Sequence, residues 1–257
     1  MLMNACDAAP PTDVNAGFVQ LRLPKQLTEI SGLVHLQQSA LLTMGDERAQ
    51  VYEVDFSTQK VKRRMSLGSP AVKGDFEGIA ILADQLYLVT SDGDLYHRAL
   101  SEPDTNSTYT RIKTKLGRAC EIEGLAADTN RERLLILCKT PRKKRLKNHL
   151  TVYSWNPLAG LEDDETISIN LKQAELGKLN PSALAFLPGY SDRLRILASK
   201  QGAFVDITLG GEVLEHGALA THHNQPEGLA FDAEGRIYIS DEGGRDRGTI
   251  TRYDRPF

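Results

Sequence analysis

Three glutamates in this 257-residue chain open nearly the same peptide: Glu77 begins EGIAI, Glu123 begins EGLAA and Glu227 begins EGLAF. Ser31 and Ser182 hold the matching place in SGLVH and SALAF. Carboxylates brought to one point repel unless something positive joins them. A hard cation with oxygen ligands would do so, and calcium accepts the flexible geometry of carboxylates and carbonyls. A second set of polar side chains recurs one strand-like run further on: Asp46, Glu47, Asp92, Lys139, Lys200, Asp241 and Glu242. The alternative is a structural clasp, in which each glutamate accepts backbone N–H groups of a neighbouring unit and no ion is needed. The sequence supports both readings.

Two further clusters are weaker candidates. Arg142, Lys143, Lys144, Arg145 and Lys147 crowd one segment and could hold phosphate or an anionic polymer. A charge run on a loop is ordinarily a solvated loop, and Glu162 to Glu165 offer a counterweight nearby. His222 and His223 are adjacent. Neighbours on a strand point opposite ways, so the two do not face one metal, and an exposed loop pair is expected. The chain has no nucleophile elbow, HExxH, P-loop or dinucleotide fingerprint.

Repetition would position the glutamates. Ser31, Glu77, Glu123, Ser182 and Glu227 stand at intervals of 46, 46, 59 and 45. Each unit opens with an alternating hairpin, as in QPEGLAFDAEGRIYISDEG from Gln225. Two more strand-like runs follow, as DLYHRAL and TYTRIKT do in the second unit. Four short strands per repeat of this length is the content of a β-propeller blade. The long interval holds two polar insertions, TPRKKRLKNH and LAGLEDDET, which a strand array tolerates at its rims. The fifth unit stops after TITRYD, while GFVQLRLP stands unassigned before the first.

The expected fold is all-β: a five-bladed propeller with four antiparallel strands per blade. Residues 17–23 complete the last blade beside 249–254 and close the ring, leaving no incomplete edge there. A sandwich or open barrel would not need a four-strand period five times. In EGLAFD, Glu227, Leu229 and Phe231 share one face and Gly228 and Ala230 the other. The small face lets a neighbouring blade pack close. First strands line a propeller's channel, so the three glutamates and two serines form a ring. The antiparallel second strands return Asp46, Asp92, Lys139, Lys200, Asp241 and Glu242 to the same rim.

Apolar residues make up 40% and charged residues 25% of the chain, with a net charge of −3. That is ordinary for a globular protein and gives no electrostatic argument for a nucleic-acid partner. No apolar run approaches the roughly 20 residues of a transmembrane helix. Residues 17–257 read as one monomeric domain and residues 1–16 as a disordered leader or tether. Ala5-Cys6 and the following AAPPTD look like the end of a lipoprotein signal, which would place a lipid on Cys6, although only five residues precede that cysteine. The third hairpin carries Cys120 and Cys138. With its turn near Asn130, facing residues sum to about 258–260, and these two sum to 258. They should face one another with Cα atoms about 4.5–5.5 Å apart, bridged in an oxidising compartment and free thiols in a reducing one.

The repeats, the Glu-Gly-Leu-Ala strand starts and PEGLAFDAEGRIYISDEG resemble the SdiA-regulated family of bacterial propellers, also called the YjiK family, from about Gly17 onward. The resemblance implies a propeller, exported or membrane-tethered in the bacterial envelope, with a bound cation and no known reaction. The basic insertion and the missing signal segment depart from it. The expected function is a binding module, with calcium as cofactor at the acidic rim and a small molecule or protein at the channel mouth. The alternative is a metal-dependent hydrolase, a lactonase or phytase-like phosphoesterase. There the cation would polarise a carbonyl or phosphoryl oxygen and a glutamate off the metal would be the base. Lactonase-type propellers usually add Asn and Asp ligands from several blades. The lining here is mostly Glu and Ser, which favours binding.

Overall fold

The computed structural model describes residues 17–103 and 105–254. The leader and Cys6 lie outside them. Strand β1 is Phe18–Arg22. Blade 1 follows as β2 (Ile30–Gln37), β3 (Ala40–Gly45), β4 (Gln50–Asp55) and β5 (Lys60–Ser66). Blade 2 is β6 (Phe76–Leu82), β7 (Gln85–Thr90), β8 (Leu95–Ala99) and β9 (Thr110–Ile112). Blade 3 is β10 (Cys120–Asp128), β11 (Arg133–Pro141), β12 (His149–Asn156), β13 (Gly160–Leu161) and β14 (Ile167–Asn170). Blade 4 is β15 (Pro181–Phe186), β16 (Arg193–Ala198), β17 (Ala203–Thr208) and β18 (Val213–Ala218). Blade 5 is β19 (Pro226–Phe231), β20 (Ile237–Asp241), β21 (Thr249–Tyr253) and the returning β1.

The five-bladed propeller is therefore present, with every blade pairing antiparallel. Closure runs from Phe18↔Tyr253 to Arg22↔Thr249, and Leu23 N–H extends it by donating to the Gly248 carbonyl at 2.8 Å. Blade 3 alone departs from four continuous strands. Its insertion splits the outer strand, so that β13 and β14 pair with opposite ends of β12.

The core is distributed between blades rather than within one layer. One apolar cluster fills each of the five seams: Leu42, Met44, Ile79 and Leu88 between blades 1 and 2, and Ala80, Val89, Leu125 and Ile136 between blades 2 and 3. The expected small face accounts for the close fit. A Cβ on Gly78 would stand 2.7 Å from the Leu125 nitrogen, and one on Gly228 would stand 2.9 Å from Leu33 Cβ. Inner strands β6, β10 and β19 carry Gly-x-Ala on this face, and at Gly78 and Gly228 the next inner strand approaches as closely as a missing side chain allows. At the hairpin tip of blade 5, the Asp232 carboxylate accepts N–H bonds from Glu234 and Arg236, and Gly235 takes φ +81°. The turn is the one its residues demand.

Strict alternation fails at the ring position itself. Pairing slips at Glu77, Glu123, Ser182 and Glu227, and across Ser31 and Gly32. A bulge leaves one residue out of the ladder and re-aims its side chain. All five inner strands carry one where the channel begins. The register around the cysteines also differs from the expected one, because the hairpin turns later than expected and its pairs sum to 261 from Asp128↔Arg133 onward. Ile122 faces Cys138 and Cys120 faces Pro141, a sum of 260 to 261 rather than 258. The two cysteines are not directly opposite, yet the bulged strand brings their Cα atoms to 5.7 Å and they form a disulfide.

Candidate functional site

The start of each inner strand and the end of each second strand meet at one mouth of the channel. The cavity there measures about 260 Å³ and is lined by Asp46, Glu77, Glu123, Lys139, Ser182, Lys200, Glu227 and Glu242, with Asn180, Ser199, Asn224 and Gln225. Below it, Gly32, Gly78, Gly124, Gly228 and Ala183 pinch the channel to a waist of about 10 Å³, room for no more than a water. Beyond the waist the opposite mouth is lined mainly by Ile79, Ile81, Leu125, Leu184, Leu229 and Phe231. The channel is polar at one end, apolar at the other, and closed to solutes between.

Each glutamate comes from a different blade and has a different polar neighbour. Ser31 of blade 1 donates to Glu77 of blade 2 at 3.1 Å. Lys139, at the end of β11, donates to Glu123 Oε1. Glu227 shares the mouth with Ser199. Glu123 is only 2% exposed, and its Oε2 is buried with no hydrogen-bond partner. Ser182, 1% exposed, donates across the seam to the Pro226 carbonyl at 2.7 Å. Ring residues thus clasp two of the seams through serines, Ser31 to Glu77 and Ser182 to Pro226.

The Lys139 ammonium, held against Glu123, does not balance three such carboxylates. Burial, then the Glu123 charge, pushes Glu77 up to about 8. Burial pushes Glu123 up to about 8 although Lys139 opposes it. Burial pushes Glu227 up to about 7, again against Lys139. Asp46 and Glu242 are raised too, by burial first and by neighbouring carboxylates, Glu29 among them. Lys139 is raised despite burial, because Glu123, Glu227 and Glu77 surround it. At neutral pH the mouth therefore holds Lys139 as a cation beside Glu77 and Glu123 carboxyl groups that burial keeps largely protonated.

Three expected rim residues sit differently. Asp92 is exposed and pairs with Arg142 at 3.3 Å, outside the mouth cavity. Asp241 is turned away from the channel, because its Oδ2 accepts from His223 Nδ1 at 2.6 Å and its Oδ1 from Gln225 N–H. Glu47 is exposed and lines a different depression beside Lys25 and Arg48. The histidine pair is not an exposed loop. His223 is buried, and Tyr253 Oη lies 2.6 Å from its Nε2 and 2.7 Å from His222 Nε2. His222 also stacks on Phe18 of β1 at 4.4 Å. The pair pins the two ends of the chain together. Among the described residues no three His, Cys, Asp or Glu side chains are arranged to hold a metal ion.

Asn180, Asn224 and Gln225 were not among the expected site residues. Asn180 and Gln225 stand two positions before Ser182 and Glu227, where Glu29, Asp75 and Glu121 stand in the other repeats. That offset is a readable signal of a second tier above the ring.

The SdiA-regulated family profile matches residues 19–245, and the chain belongs to that family. No curated protein matches its sequence. Among solved structures it is similar to a gluconolactonase from Xanthomonas campestris, with TM-score 0.58 at 15% identity over 96% of this chain and 86% of the other. It is also similar to a protein from Bacteroides thetaiotaomicron, with TM-score 0.59 at 14% identity over 96% and 69%. A virginiamycin B lyase from Staphylococcus aureus gives TM-score 0.52 at 12% identity over 98% and 82%. At these identities the likeness is one of fold, and it carries no reaction across.

Proposed function

We propose that the protein is a binding module of the cell envelope, acting as a monomer, whose ligand enters the acidic mouth with a divalent cation such as calcium. The observation that carries this reading is Glu123: a buried carboxylate with one unpartnered oxygen, in a cavity shared with Glu77, Glu227, Asp46 and Glu242. Such an oxygen is costly to leave unpaired. A hard cation would supply the missing partner and displace the protons that burial now holds on Glu77 and Glu123. Lys139 would have to yield Glu123 Oε1, so cation, proton and lysine compete for one carboxylate.

The test is calorimetric titration of calcium into the full chain at pH 6 and pH 8.5. Binding should be tighter at pH 8.5, because the groups near 8 must first lose protons. Glu123→Gln should weaken it at least about tenfold. Absence of calcium heat at pH 8.5 overturns the cation, and leaves a mouth for polar or cationic small molecules.

A second reading is favoured by one observation. A carboxylate near 7, as Glu227 is, suits general-base work at neutral pH. Under that reading the protein hydrolyses a lactone or phosphoester. A screen of aldonolactones and phosphomonoesters, with and without calcium, that shows no turnover lost on Glu227→Gln would remove it.

A further inference from the structure

Beside the channel mouth, between blades 3 and 4, lies a wider cleft of about 730 Å³. Its walls are the end of β11 (Lys139, Thr140, Pro141), the start of β12 with the two residues before it, and the crossing segment 171–181. Strands β11 and β12 run to nine and eight residues, so this hairpin reaches past the rim and raises one wall. The blade-3 insertion, which lengthens the repeat, is what builds the cleft.

Its lining is divided. Leu150 and Leu171 are buried in the floor, with Leu179, Pro141 and Pro181 beside them. Lys147, Lys172 and Lys178 stand exposed around the opening, and His149 is half-buried. Among the described residues these three lysines are in no ion pair, and Glu175 is the one acidic residue of the lining. Lys139 is taken by Glu123. Arg142, Lys143, Lys144 and Arg145 continue the positive charge along the same loop. In a chain of net charge −3 this concentration of cations is local, and Lys147, Lys172 and Lys178 are its members at the cleft itself, while Arg142 is paired with Asp92.

We infer that the cleft between blades 3 and 4 binds a small anion with an apolar body, a carboxylate or phosphate ester on a hydrocarbon or similar frame. The volume lies within the range of small-molecule sites, which are typically apolar with a few placed polar groups. The lysines supply the charge complement at the opening, where they attract an anion without being desolvated themselves. The floor takes the apolar body at about 25 cal/mol per Å². No Phe, Tyr or Trp lines the cleft, so it offers no broad stacking platform for single-stranded nucleic acid. The cleft meets the mouth at Lys139 and Asn180, which line both, but its charge rests on Lys147, Lys172 and Lys178, none of which lines the mouth.

The test is titration of sodium decanoate into the full chain, followed by calorimetry or amide NMR shifts. Decanol, inorganic phosphate and phosphatidylglycerol vesicles serve as separate arms. Decanoate should bind saturably, with shifts at residues 147–150 and 171–181, and should weaken as salt is raised. Decanol and phosphate, each carrying half of the chemistry, should bind at least about tenfold more weakly. The exposed pair Lys172→Glu/Lys178→Glu should weaken decanoate about tenfold or more while leaving any calcium heat unchanged. Leu179→Gln, on the floor, should weaken it without altering the salt dependence. No saturable decanoate binding, equal affinity in the charge-reversed variant, or binding to the vesicles alone would each overturn the inference.

Discussion

Lys139 follows Cys138 directly, and Cys138 is bonded to Cys120. The disulfide therefore anchors the backbone from which the one lysine paired with a ring glutamate reaches Glu123. Glu77 and Glu123 sit near 8 in the folded chain against 4.5 for an ordinary glutamate. The folded state then holds more protons than the unfolded one across that interval, so stability falls as pH rises from about 4.5 through 8. In chelator, urea midpoints should decline over this range, and Glu77→Gln should stabilise the protein at pH 8.5 by about 1.4 kcal/mol or more. An unchanged midpoint at pH 8.5 would mean that Glu77 is not held protonated. Lys139→Met should cost about 1–3 kcal/mol above pH 8, where Glu123, no longer held down by the ammonium, must take up a proton or stay ionised without a partner, and much less at pH 5.5, where it is protonated with or without Lys139. Denaturant melts at the two values decide this. The repeat offset made the glutamates and serines legible as a ring. It could not show what draws a rim residue aside. Asp241 is claimed by a histidine from the loop before β19, and Asp92 by Arg142 of an insertion that other blades lack.

At the scale of the strand, the recurring device is the bulge at the ring residue followed by Gly or Ala. The bulge aims a polar side chain at the mouth; the small residue lets the next blade close behind it. Gly78→Ala tests the second half. Its Cβ would meet backbone atoms of Gly124 and Leu125 at 2.9 and 2.7 Å, and backbone cannot swing away. A loss of about 1–3 kcal/mol is expected, whereas Gly210→Ala, whose nearest neighbour would be Thr208 Oγ1 at 3.5 Å, should be close to neutral. Equal urea midpoints for the two variants would show that the seam has slack. Blade count, the four-strand content of four of the blades and the partner of β1 were legible, because period-2 alternation and turn residues repeat five times over. Register was not. The third hairpin turns between Asp128 and Arg133, about one residue later than its sequence suggests, and its bulges shift the facing pair again only at Ile122. The bulge leaves no mark on the alternating pattern, since a glutamate beside a glycine reads equally well in or out of the ladder. The split outer strand of blade 3 was hidden similarly, because Gly160–Leu161 inside a polar insertion is too short to register as a strand.

A ring of five blades has five seams, and the fifth exists only if the chain's ends meet. Leu21, Leu23, Leu27 and Ile30 join Leu33, Leu41, Ala230, Tyr238 and Ile250 in the cluster between blades 5 and 1. Two of these, Leu21 and Leu23, come from the returning strand and its continuation, and both are essentially fully buried. Burying side chains of this kind is worth about 1.5–3 kcal/mol each, a large share of the stability of an ordinary domain. Phe18 adds the stack on His222, and Tyr253, bonded to both histidines, faces Phe18 across the β1–β21 pair. Removing the strand would strip all of this and expose the edge of β21, whose N–H and C=O groups would be left for water or another chain. A chain beginning at residue 25 should therefore melt well below one beginning at residue 17, and should associate through its open edge at high concentration. Because every seam is needed to hold its neighbours in place, the loss should spread to the mouth and lower the affinity for calcium as well. Calorimetric melting and sedimentation of the two chains measure this directly, and equal melting temperatures would mean that the propeller stands without its closure.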